Sequence, residues 1–289
     1  SEELELNNRK ILNAIRNIRE ITDSNYRNTA VLSRSSVSLD KYAWLLSRRL
    51  DTFEQPRPQY GGTLQIAGIP LAHDTLDPLY GTTVQEAQAI SLVHAGLVKY
   101  DSLFNLVPDV ARTWEVSEDG KRYTFHLNEH VVFHNGQKLT ASDVVSSMKR
   151  LLDPAFHCPI AGLFDVIVGA AAFSAGDSDD LTGMRALDDY TVQIDLGKPL
   201  VFFADLLALS YTAIVPQTEY HKGTDEPFAN VGCGPFRLVE FTPGVHVMLR
   251  RHDAYHRGNR PYVSKVILDL KRKADALDAL LEGELDLAS

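Results

Sequence analysis

Two runs constrain this chain more than anything else in it: Phe133-His134-Asn135-Gly136-Gln137-Lys138-Leu139-Thr140-Ala141-Ser142-Asp143-Val144, and, about ninety residues later, Gly232-Cys233-Gly234-Pro235-Phe236. Each reads as regular structure interrupted by polar punctuation at fixed places. Asn135-Gly136 is a tight-turn pair. Thr140 suits the N-cap of a helix, and Asp143 in its first turn suits the helix dipole. Gly232 and Gly234 permit close backbone approach or a positive φ. Neither run holds a metal cage or a phosphate loop, and the punctuation in both is that of turns and caps.

Composition bounds the rest. A chain of 289 residues, 44% hydrophobic and 23% charged, suits a globular protein of roughly two domains. No apolar stretch approaches the roughly 18 residues that span a bilayer. The start, Ser1-Glu2-Glu3-Leu4-Glu5, lacks the basic head and apolar core of a signal peptide, so any export signal or anchor is expected outside this chain. The net charge of −9 argues against a nucleic-acid partner. Residues 1–57 carry 10 Lys+Arg and 8 Asp+Glu, a balance of +2, whereas the remainder carries 19 and 30, a balance of −11. The first segment is therefore a different piece.

Residues 1–57 read as a helical N-terminal extension. Leu4, Ile11, Ile15 and Ile18 form one apolar stripe, and Ser38 can cap a second helix from Leu39 to Leu50. Prolines 56 and 58 and glycines 61 and 62 then end any helix. Beyond them strands and helices interleave, which gives an α/β class. Strands are predicted at Thr63–Ala67, Tyr123–Leu127, Thr191–Leu196 and Val263–Leu270, with a hairpin of Phe236–Phe241 and Val245–Arg250. Helices are predicted at 84–97, from the Thr140 cap to Leu152, at 200–209 and at Ala274–Leu281.

Sites for chemistry are weak. His126, His130 and His134 recur every fourth residue, but the stretch from Glu129 to Val132 reads as a bend that breaks a metal geometry. Asp177, Asp179, Asp180, Asp188 and Asp189 sit in turn-rich segments and read as solvated acids. Cys233 has no histidine near it in sequence to act as a base. No nucleotide loop, nucleophile elbow or zinc-protease motif is present, so neither an enzyme nor a cofactor is expected. Two cysteines, Cys158 and Cys233, leave both a disulfide and two free thiols open.

A series of segments in order adds a resemblance. Gly61-Gly62-Thr63-Leu64, Thr75-Leu76-Asp77-Pro78, Leu106 to Trp114, Asp119 to Leu127, the run 133–144, Asp153-Pro154, Ala186 to Val192, Gly232 to Phe236 and Gly283-Glu284-Leu285-Asp286 together resemble the solute-binding proteins of peptide- and nickel-type ABC transporters. The resemblance covers 61–288. It implies a periplasmic-binding-protein-like (type II) first lobe, residues 58–289, with 58–100 and 190–289 as its core and an inserted small α+β subdomain at 101–189. The second lobe is expected to be absent, which predicts weak ligand binding by this piece alone.

The resemblance further implies a substrate-binding component of an ABC importer, periplasmic or extracellular, that takes a peptide or peptide-like solute by closure of two lobes and docks on permease subunits. The alternative is a ligand-sensing domain of a membrane-bound or transcriptional regulator. By positional matching, Thr82, Thr83, Val84, Ile160 and Cys233 are the candidate ligand contacts. His256 and Ile160 depart from aromatic positions of the family, and Cys233 from a position often held by Thr.

Overall fold

The computed structural model describes residues 60–67, 71–73, 75–221, 228–258, 260–270 and 276–288. The chain divides into two units, Ser1–Gln59 and Tyr60–Ser289. The helices expected within 1–57 lie outside the described residues.

In chain order the elements are β1 (Thr63–Ala67), α1 (Val84–Val93), β2 (Val98–Tyr100), β3 (Leu106–Pro108), β4 (Ala111–Val116), β5 (Arg122–Leu127), α2 (Ala141–Leu152), α3 (Ala170–Ser174), β6 (Met184–Asp188), β7 (Thr191–Asp195), α4 (Phe203–Leu206), α5 (Gln217–His221), β8 (Phe236–Thr242), β9 (His246–Arg251), β10 (Lys265–Asp269), α6 (Ala276–Leu281) and β11 (Leu287–Ala288). A five-stranded mixed sheet has the order β11-β1-β10-β9-β8. In it β1 runs parallel to β10 and β11, while β10, β9 and β8 alternate antiparallel. A four-stranded antiparallel sheet has the order β4-β5-β7-β6. The expected core boundary at residue 190 thus falls between two paired strands of this second sheet.

Each sheet has its own core. On the five-stranded sheet, Val247, Leu249, Val266 and Leu268 point to one face and meet Ala89 and Val93 of α1. Strand alternation and helical spacing both deliver their apolar residues to that layer. The larger core lies against the four-stranded sheet. Phe125, Phe133, Phe164 and Phe203 are wholly enclosed there, together with Leu151 and Leu152 of α2. Each such ring contributes roughly 1.5–3 kcal/mol over its exposed state.

Two helix expectations need correction. The helix predicted at 84–97 ends at Val93, because His94 turns extended (φ −116°, ψ 161°) and the chain must swing through Gly96 into β2. The run 200–209 is apolar but holds only the single turn α4. Phe203, Ala204 and Leu207 face the core, whereas Val201 and Phe202 are exposed, so no continuous helical face exists to bury. The helix predicted from Thr140 to Leu152 forms as α2. Backbone N–H and hydroxyl of Thr140 both donate to Asp143 Oδ2, at 2.9 Å each, while Asp143 Oδ1 accepts from Gln217 N. A cap on α2 therefore also anchors the start of α5.

Glycines 232 and 234 are fixed by space and not by dihedral angle. A Cβ at Gly232 would lie 2.1 Å from Val93 O, and one at Gly234 would lie 2.6 Å from Val93 C. The close approach lets Gly234 N donate to Val93 O at 2.9 Å, joining the last turn of α1 to the entry of β8.

Candidate functional site

The loop between β1 and α1 is built from short-range polar contacts. Asp77 caps the 3-10 turn Pro78–Tyr80, accepting from Leu79 N at 3.1 Å, and Thr75 Oγ1 accepts from Asp77 N at 3.0 Å. The same carboxylate meets Arg150 of α2 end-on, accepting from its two terminal nitrogens at 2.8 and 2.5 Å. Both side chains are about 95% enclosed, at 4% and 5% exposure. Phe156 and Phe228 stack on the guanidinium, 4.6 and 5.2 Å from its carbon. A bidentate pair between aromatic faces compensates much of the cost of burying both charges. Its positional effect is to tie the Leu76–Pro78 turn to the far end of α2.

Next along the chain comes a knot around Glu86, itself 1% exposed. Its carboxylate accepts from His73 N (2.8 Å), Thr82 Oγ1 (3.1 Å), Thr83 N (3.0 Å) and Thr83 Oγ1 (3.1 Å), and His73 Nδ1 lies 3.0 Å away. In return Glu86 N donates to Thr83 Oγ1 at 3.1 Å, completing a capping box. Burial alone would raise the Glu86 pKa. The bonds from His73, Thr83 and Thr82 outweigh it and hold the acid below its ordinary value.

This geometry decides what the sequence-predicted residues can offer. The hydroxyls of Thr82 and Thr83 already serve Glu86, and what they present outward is the edge of a braced loop. Val84, at 70% exposure, projects from the first turn of α1. Ile160 opens the 3-10 segment Ala161–Phe164 and packs partly on the larger core. Tyr211 links the two places: its phenol, raised first by burial, also feels Cys158 and Glu86. The Pro78–Tyr80 turn just before Thr82 packs on Ser210–Thr212, the turn that carries Tyr211. Cys233 is wholly enclosed, its thiol pushed up by burial and then by Asp109. Both cysteines are free.

Around Cys233 the sequence offered no warning of a histidine clamp. His134 N donates to Gly232 O at 2.8 Å, and Gly232 N donates to His134 Nδ1 at 3.3 Å. His134 Nε2 and His252 Nδ1 both reach Gly234 O, at 3.2 Å each. The two rings meet edge to face with centroids 4.8 Å apart. Burial pushes His134 down to about 4, only partly countered by its bond to Gly234. His126 and His130 take no part in this clamp, since one lies on β5 and the other in the following turn. No cluster of metal-binding side chains occurs among the described residues.

The comparisons with known proteins decide the family. The description "Bacterial extracellular solute-binding proteins, family 5 Middle" matches residues 105–289. The chain belongs to this family. It is 31% identical over 220 residues to the probable deoxycholate-binding periplasmic protein YgiS of Escherichia coli, covering 74% of this chain and 41% of that protein. To the peptide transport periplasmic protein SapA of Salmonella typhimurium it is 32% identical over 204 residues, 64% of this chain and 35% of the relative. Among solved structures, Burkholderia pseudomallei OppA superposes with a TM-score of 0.71 at 26% identity, covering 81% of this chain and 46% of OppA. AgaA from Agrobacterium tumefaciens, in complex with agropinic acid, gives 0.69 at 29% identity, with 78% and 43% covered. This solute-binding chain therefore spans less than half the length of the relatives it matches, and shares their mixed α/β fold.

Proposed function

We propose that this chain supplies one lobe of the substrate-binding component of an ABC importer, which captures a peptide or peptide-like solute when a second lobe closes over it. The observation that supports this most is the braced edge: Thr82, Thr83 and Val84 stand exposed or half-buried on a loop that Glu86, Asp77 and Arg150 lock in place. A binding surface held rigid before the ligand arrives loses less entropy on binding. In this reading Thr82, Thr83, Val84 and Ile160 contact the ligand, while Cys233 fills the space beneath the Gly232–Gly234 backbone. The inserted small α+β subdomain is taken as residues 101–189, which hold β4, β5 and β6 of the four-stranded sheet, while β7 lies just beyond it. Permease subunits are the partners and the periplasm is the compartment. Among the described residues, no helix is long and apolar enough to cross a membrane.

The solute class is the open edge of the proposal, because relatives carry names for peptides and for deoxycholate, and a solved neighbour holds agropinic acid. Native mass spectrometry of the full-length protein purified from its source separates them. A ladder of co-purifying peptides establishes peptide capture, and its absence from residues 1–289 alone shows that the second lobe is required. One adduct of a single non-peptide mass moves the solute class away from peptides.

A further inference from the structure

A groove of about 490 Å³ runs along the outward flank of α1. One wall is the exposed side of that helix, Val84 and Ser91; the other is Leu209; the floor holds Lys99, Asp109 and Tyr255. Of the five residues expected to contact solute, only Val84 borders it. Its volume falls in the range of small-molecule sites, which typically combine apolar walls with a few convergent polar groups.

Of the cations gathered around Asp109, Lys99 lines the groove and the others stand behind it. Asp109 Oδ1 alone receives Lys99 Nζ at 3.3 Å, His256 Nε2 at 3.3 Å and Arg257 Nε at 3.1 Å. Arg257 also donates to Pro108 O. One carboxylate thus faces two permanent cations, and Arg260 adds its field at Lys99. Asp109 is almost wholly enclosed, but Lys99 is 36% exposed and keeps two further N–H donors. Burial lowers the Lys99 pKa first, Arg257 and Arg260 push the same way, and Asp109 only partly opposes them. An incoming anion would relieve that imbalance. Tyr100, whose hydroxyl donates to Asp205 Oδ1 at 2.5 Å, is a fixed part of the lining.

We propose that this groove is a second ligand site, which takes a small amphipathic carboxylate with its charged group on Lys99 and its apolar tail along Val84 and Leu209. The charge selects an acid over an amine or alcohol of the same tail. The walls reward tail length, because each buried methylene contributes roughly 0.8 kcal/mol.

The test uses residues 1–289 and three probes of one chain length: hexanoate, hexylamine and hexanol. Amide chemical shifts are followed by NMR. Hexanoate is expected to shift Val98, Lys99, Tyr100 and Ser91 saturably, and hexylamine is not. Ser91 is exposed, and its hydroxyl donates only to Gln88 O, so both signs of charge can be placed there. Ser91→Lys is expected to tighten hexanoate and Ser91→Asp to weaken it, each by roughly twofold to fivefold. Lys99→Met is expected to weaken it by about tenfold or more. Equal responses to the three probes, shifts confined to Thr82, Thr83 and Ile160, or a Ser91 pair without opposite effects would each overturn the assignment. Because the Ser91 variants leave the floor intact, the outcome stands even where Lys99→Met does not fold. Peptide capture by the full-length protein is read separately and does not depend on this result.

Discussion

Asp77 and Asp195 both hold arginine at nearly the same distance, and the similarity ends there. Asp77 meets Arg150 at 2.5 Å with both side chains at or below 5% exposure. Asp195 meets Arg122 and Arg185 at 2.6 Å each, but those arginines are 56% and 53% exposed. Distance therefore says little about consequence. Around Asp77 water is excluded, so either charge left alone would face a low-polarity interior. At Asp195, on the outer face of the four-stranded sheet, solvent screens the pair and replaces a lost partner. The first pair fixes where the Leu76–Pro78 turn sits relative to α2, and through it the braced edge at Thr82–Val84. The second decorates a sheet that its own core already holds.

That contrast can be broken most sharply at Arg150. Arg150→Met should destabilise the chain by about 3–5 kcal/mol in urea unfolding, since it strands Asp77. Adding Asp77→Asn should recover at least about 1 kcal/mol, and strict additivity of the two would refute the coupling. Next in size is Gly232→Ala, where a methyl carbon would sit 2.1 Å from Val93 O. It should cost about 2 kcal/mol or more through overpacking. Gly258→Ala, with open space around it, should stay within about 0.5 kcal/mol. A cost at Gly258 equal to that at Gly232 would remove close approach as the reason for the glycine.

The histidine clamp gives a third, pH-dependent effect. His134 has its folded pKa at about 4 and His94 at about 3, both below the ordinary 6.5, and burial is the leading cause in each. The unfolded chain then binds protons first. Stability from each ring is complete above pH 6.5 and falls as pH drops toward its folded pKa, by roughly 1 kcal/mol per pH unit. Melting temperature should decline between pH 6.5 and 4.5, and His134→Asn should flatten that slope. An unchanged slope would show that the clamp is not what titrates. Smallest of all is Arg185→Ala, expected to change unfolding free energy by no more than about 0.5 kcal/mol, with little sensitivity to added salt. A loss near that of Arg150→Met would collapse the comparison.

Much of the fold was legible because its signals are local. The alternation in Thr63–Ala67 and Tyr123–Leu127, the Thr140 cap with Asp143 and the stop at Asp153-Pro154 each act within a few residues. The segments in order likewise carried the family. Where the sequence misled, the reasons differ: at 200–209 the apolar residues do not share one helical face, and at 84–97 the helix forms but stops at Val93, where His94 turns extended. The loop at Thr82–Val84 was singled out by positional matching alone, and the structure shows it as a capped, braced helix entry. Glu86 had a signal in its spacing from Thr83, the capping-box interval.

By itself, then, the sequence determined the α/β class, most strand and helix positions and the resemblance to solute-binding proteins, because periodicity and capping are written between near neighbours. Only the tertiary structure decided that Arg150 closes on Asp77, that His134 and His252 grip Gly234, that Cys233 is enclosed, and that Lys99, His256 and Arg257 converge on one oxygen of Asp109. Those partners lie from 10 to 148 residues apart. Pairings at such separation follow from how the two cores pack, and no local pattern in the chain encodes them.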